Sequence, residues 1–103
     1  MLYEVESLLI KVLGNSPKTR IIDFMMDNPL FDFTKKEMFE AMGMSKRTLY
    51  KALPDLERNG IIKTSRKIGR AKLYKINLEH QLIRALYEFE KELSLQEAEE
   101  AHA

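Results

Sequence analysis

Residues 45–62 read SKRTLYKALPDLERNGII, and this stretch decides the fold. Ser45 is a good helix N-cap because its hydroxyl can accept an orphan backbone N–H. Leu49, Ala52, Leu53 and Leu56 then recur at helical spacing and give one apolar face over Lys46–Arg58. Asn59-Gly60 is a stop signal. Ile61 and Ile62 follow at once, so the period changes from helix to strand within a few residues. Pro54 conflicts with the helix. It lacks an N–H for the carbonyl of Tyr50, and its ring crowds that turn. A kink, or a break into Lys46–Leu53 and Pro54–Arg58, is expected.

Working outward towards the N-terminus, Thr34 and Glu37 form a T-x-x-E capping box. The helix they open carries Met38, Phe39 and Met42 and ends at Gly43, a short turn before Ser45. Before it, Leu30–Phe33 reads as a short strand. Ser16-Pro17 opens a helix that must stop before Pro29. A further helix is expected over Leu2–Leu13, with Leu2, Val5, Leu8, Leu9 and Val12 on one stripe. Towards the C-terminus, Ile61–Ser65 and Ala71–Ile76 read as strands around an Arg66–Arg70 hairpin tip. Asn77 caps a last helix from Leu78, and the acidic end of the chain reads as a fraying tail.

Two helices joined by a short turn and followed by a hairpin have the layout of a winged helix-turn-helix. The expected class is α+β, mainly α, with additional N- and C-terminal helices, in one domain. Its parts are an N-terminal helix at 1–14, a helix-turn-helix at 34–59, a wing at 61–76, a dimerisation helix at 78–97 and a tail at 98–103.

Charge locates the site. Residues 34–75 hold twelve basic and four acidic side chains, net +8, whereas residues 1–33 sum to −2 and residues 76–103 to −5. The net charge of +1 is therefore a cancellation between segments. On a helix of 100° per residue, Arg47, Lys51 and Arg58 point away from the Leu49/Leu53/Leu56 face, flanked by Thr48 and Tyr50. Arg and Lys can pair with guanine or phosphate, and Thr can touch a thymine methyl. Lys35 and Lys36 oppose the dipole of their own helix start, which a nearby phosphate would relieve. Arg66, Lys67, Arg70 and Lys72 supply a basic wing. The expected partner is double-stranded DNA, and the alternative is a protein-interaction module whose basic face meets an acidic partner.

The stretch Phe33–Asn77 resembles the archaeal winged helix-turn-helix DNA-binding transcriptional regulators, most specifically in S-K-R-T-L-Y-K-A-L-P-D-L-E-R-N-G-I-I. The resemblance covers about residues 15–90 and includes Pro54. It implies DNA contact by Ser45, Lys46, Arg47, Thr48, Tyr50 and Lys51, wing contact by Arg66, Lys67 and Arg70, and a homodimer. Periodicity separately supports the dimer. Leu82, Leu86, Phe89 and Leu93 are spaced four, three and four, an a/d seam, and Leu2, Val5, Leu9 and Val12 form a similar stripe.

Other chemistries find little support. The 103 residues include no Cys and only two His, which excludes thiolate sites and Cys nucleophiles. No Gly-rich phosphate loop, Ser-His-Asp set or metal spacing is present, so an enzyme and a cofactor are not expected. The six Met residues are ordinary core filler, and a small-molecule effector is not expected. His80 reads as an inert exposed side chain. Apolar runs of three or four residues exclude a membrane partner, and the acidic, unsignalled N-terminus makes a cytoplasmic location the expectation.

Overall fold

The computed structural model describes residue 10 and residues 14–102, with side chains described to residue 96. Four helices and a hairpin follow in order: α1 (Pro17–Asp27), α2 (Lys35–Met42), α3 (Lys46–Arg58), β1 (Ile62–Ile68), β2 (Ala71–Ile76) and α4 (Gln81–His102). The expected N-terminal helix, with Leu2, Val5, Leu9 and Val12, lies outside the described residues.

Three helix starts use hydroxyl caps. Ser16 accepts from the Thr19 N–H, Thr34 from Glu37 and Ser45 from Thr48. At Thr34 the box is complete, since the Glu37 carboxylate also accepts the Thr34 N–H at 2.8 Å. Gly43 closes α2 at φ 62°, the left-handed region that favours glycine. Arg20 completes that end by donating to the Met42 carbonyl at 2.5 Å.

The core joins all the elements. Ile21, Met25, Met38, Leu49, Leu53, Ile62, Tyr74, Ile76 and Ile83 are its largest fully buried side chains. No polar or charged residue is buried among those described. At about 25 cal/mol per Å², each large apolar side chain contributes about 1.5–3 kcal/mol, which is why four helices and one hairpin suffice.

Four local expectations need correction. Of the kink or break expected at Pro54, the break does not occur: α3 is one helix from Lys46 to Arg58. Pro54 and Tyr50 are both exposed, so the helical bond that Pro54 cannot donate is missing on the solvent side of α3. The Leu30–Phe33 strand shrinks to a single bridge in which Phe33 and Tyr74 exchange backbone bonds of 2.8 and 2.7 Å. Leu30 and Phe31 stand 79% and 64% exposed. The hairpin tip is also tighter than expected: β1 continues to Ile68, leaving only Gly69 and Arg70 as the turn, with Gly69 at φ 60°.

The last correction concerns α4, which begins at Gln81 and continues to His102. Asn77 makes an Asx turn to the Glu79 N–H, and the helix is capped instead by His80. His80 Nδ1 accepts from the Leu82 N–H at 3.0 Å. Its Nε2 therefore carries the proton and donates to the Asn59 carbonyl at 2.9 Å, tying the start of α4 to the end of α3.

Candidate nucleic-acid interface

The outward face of α3 is a row of exposed cations. Lys46, Arg47, Lys51 and Arg58 all reach solvent, while Leu49, Ala52, Leu53 and Leu56 hold the opposite face in the core. Ser45 and Thr48 are committed to each other: the Ser45 hydroxyl donates to Thr48 Oγ1 at 2.8 Å and accepts the Thr48 N–H at 3.1 Å. What the helix start offers a phosphate is thus mainly its backbone dipole and Lys46.

Tyr50 marks the meeting of three elements. The residue is 44% exposed. Lys35 Nζ lies 4.5 Å from the ring centroid and Lys46 Nζ 5.4 Å from it, both within cation–π range. Lys35 also lies 5.8 Å from the ring of Tyr74 on β2. An open groove of about 380 Å³ runs here, lined by Lys35, Lys36, Tyr50, Arg70, Lys72 and Tyr74 among others. The start of α2, the middle of α3 and the wing therefore converge on one cationic cleft. In the β1–β2 register Lys67 stands opposite Lys72. Like charges directly opposed weaken a hairpin, and an anion between them would reverse that sign.

On the other flank of α3 a second open groove of about 720 Å³ is lined by Ser16, Lys18, Arg47, Thr48, Lys51 and Asp55 among others. The sequence reading missed Lys18 and Asp55 in this region. Lys18 Nζ bonds Asp55 at 2.7 Å, and Arg58 pairs with the same carboxylate. Hydrogen bonding from Lys18, then its charge and that of Arg58, hold Asp55 below the ordinary carboxylate range. Arg58 is thus tethered sideways and is less available than Arg47 or Lys51.

Arg66 departs most from expectation. It belongs to β1, not to the tip, and its guanidinium grips Asp32 through Nε at 2.8 Å and Nη2 at 3.3 Å. The Ser65 hydroxyl donates to the same carboxylate at 2.5 Å. Bonding to Arg66, then to Ser65, holds Asp32 down to about 2. Nothing local in the sequence marks Asp32, because its partners lie more than thirty residues away.

The expected seam residues of α4 divide. Leu86 packs against the core, next to Tyr87 and the fully buried Ile83, neither of which belongs to the seam. The Tyr87 hydroxyl donates to the Met26 carbonyl at 2.6 Å. Leu82 is 42% exposed, and Phe89 and Leu93 are half-buried. At 100° per residue the Leu82/Leu86/Phe89/Leu93 stripe lies about 110°, nearly a third of a turn, from the Ile83/Tyr87 face.

No protein-family model matches the chain, and no curated protein does. Solved structures match it in fold. A transcription regulator of a multidrug efflux pump from Staphylococcus aureus aligns over 84% of this chain and 64% of its own, at 16% identity and TM-score 0.65. The homodimeric winged helix-turn-helix DNA-binding domain Mb0332 from Mycobacterium bovis, a possible ArsR-family transcriptional regulator, aligns over 92% and 82%, at 20% identity and TM-score 0.61. A mutant of Lactococcus lactis ZitR in complex with DNA aligns over 80% and 57%, at 20% identity and TM-score 0.57. At these identities the likeness is one of fold: the chain is a mainly helical winged helix with a two-stranded antiparallel wing.

Proposed function

We propose that this chain is a sequence-specific double-stranded DNA-binding transcriptional regulator that acts as a homodimer in the cytoplasm, without enzymatic activity. The observation that carries this reading is the convergence of Lys35, Lys36, Tyr50, Arg70 and Lys72 on one groove beside the exposed Arg47 and Lys51. A phosphate backbone passing along this groove would relieve the crowding of like charges in the wing and at the start of α2. Arg47, Lys51 and Tyr50 would then face base edges in the major groove. Two of the matched structures are, respectively, a homodimeric DNA-binding domain and a DNA complex, which supports the same partner. The archaeal character proposed for the regulator rests on the resemblance of Phe33–Asn77, most specifically on the Ser45–Ile62 motif.

Duplex titration against salt tests the reading. The logarithm of affinity should fall linearly with the logarithm of salt, with a slope of about −0.9 per phosphate neutralised. Absence of binding to pooled genomic fragments at about 50–100 mM salt would overturn it in favour of an acidic protein partner.

A further inference from the structure

Asp32 lies in neither the helix-turn-helix nor the wing, yet it holds the wing. Its carboxylate takes the Ser65 hydroxyl at 2.5 Å and both donors of Arg66, at 2.8 and 3.3 Å. Ser65 is the residue skipped where the β1–β2 register shifts between Thr64 and Arg66, so the grip falls on a β-bulge. The next residue, Phe33, exchanges both backbone bonds with Tyr74 on β2. One residue's side chain therefore grasps β1 and its neighbour's backbone grasps β2. An isolated two-stranded hairpin is marginal in water, so its direction must be set from outside. Thr34, Lys35 and Lys36 follow at once, at the start of α2 and in the cationic groove. The stretch 32–36 thus fixes the wing and supplies two of the cations that the wing must meet.

We propose that Asp32 is the positioning residue of the wing: it clamps the Ser65 bulge so that Arg70 and Lys72 converge on Lys35, Lys36 and Tyr50, and Arg66 serves as its partner and not as a phosphate contact. The effect on binding rests on the DNA reading, whereas the clamp itself can be measured without DNA.

The full chain serves for both measurements. Without DNA, Asp32→Ala should speed amide exchange over residues 62–76 by about fivefold or more while the α1 and α3 amides keep their protection. With duplex, Asp32→Ala and Arg66→Ala should each weaken binding by about fivefold with the salt slope unchanged, and the double variant should be no weaker than either single one. Lys72→Ala provides the contrast, with a slope reduced by about 1. Asp32→Asn, which keeps the shape and loses the charge, should fall between the parent and Asp32→Ala, and it stands in if the alanine variant does not fold. Unchanged wing exchange in both Asp32 variants would overturn the clamp whether or not DNA binds. So would an Arg66→Ala slope reduced by about 1 together with an Asp32→Ala that binds more tightly, because Asp32 would then be only a screening charge on a phosphate contact. A parent chain that binds no duplex would sink the DNA reading and leave the exchange experiment to decide the clamp.

Discussion

Tyr50 does more in the cationic groove than its hydroxyl suggests. Its ring lies under two ammonium groups from different helices, Lys35 and Lys46. Attraction to the ring face holds both lysines at Tyr50, Lys35 within the groove, without neutralising them. Tyr50→Phe keeps the face and should leave duplex affinity within about twofold, whereas Tyr50→Leu should weaken all sequences by about three- to tenfold. Equal losses for the two variants in a fluorescence titration would shift the role from the ring to the hydroxyl. Arg47 makes a different prediction, since nothing inside the molecule pairs with it in the ion pairs of the described residues. If it reads a guanine, Arg47→Ala should cost about 1–3 kcal/mol at one base pair and relax discrimination there. Competition between a selected site and its single-base variants measures this, and a uniform loss across all of them would make Arg47 a phosphate contact.

Among elements, the junction of α3 with α4 is the most informative. His80 caps α4 through Nδ1 and reaches the end of α3 through Nε2, while the Asn77 amide donates to the Gly60 carbonyl at 2.8 Å. His80→Ala should therefore cost about 1 kcal/mol of stability, and His80→Asn, which can still cap the helix, should recover part of it. Urea unfolding checks both, and a neutral His80→Ala would return the histidine to the inert role its sequence context suggested. This contrast shows what could be read in advance. The Ser16, Thr34 and Ser45 caps and the Gly43 stop were legible because their chemistry is complete within four residues. The core face of α3 was legible for a similar reason, since burial repeats with the helix period. The cations of the candidate site were legible one by one, and Lys35, Lys36, Arg70 and Lys72 line one groove with Tyr50. Which cations are tied up was not legible. Arg66 and Lys18 meet carboxylates 34 and 37 residues away, and no local pattern encodes such a pairing. The two-residue turn at Gly69-Arg70 was missed because Arg66 to Ile68 continue the strand without adding a buried side chain.

At the scale of the whole molecule, two sets of carboxylates respond to pH with opposite signs. Asp32 and Asp55 are held low by their cationic partners, so their contribution is present above the ordinary aspartate range and is lost as pH falls, for Asp32 through about 2. Asp27 and Glu90 behave in reverse. Burial first, then the charges of Asp23 and, for Glu90, Asp27, raise them. Their contribution is full below the ordinary carboxylate range and is lost as pH rises through the raised values. Asp23 Oδ1 is buried beside them without a hydrogen-bond partner among the described residues. Glu90→Gln should therefore raise the Tm at pH 7, with the gain closing as pH falls to about 4. A gain that persists at low pH would assign the effect to packing instead. Asp23, Asp27 and Glu90 thus gather carboxylates of α1 and α4 into one cluster. The apolar stripe on the flank of α4 is the other large-scale feature. A helix of this length spans about 33 Å, longer than either of the two smaller dimensions of the 54 × 27 × 20 Å molecule. Leu82 can be changed without touching the core, because its neighbour Ile83 makes that contact. If the stripe pairs two chains, Leu82→Glu with Phe89→Glu should halve the mass seen in sedimentation to that of the 12.1 kDa chain. Affinity for a site with two half-sites about 34 Å apart should then fall to that for one half-site, while binding to a single half-site stays as it was. An unchanged mass would move the dimer contact off this stripe, and a monomeric parent with full affinity for an isolated half-site would remove the dimer from the mechanism altogether.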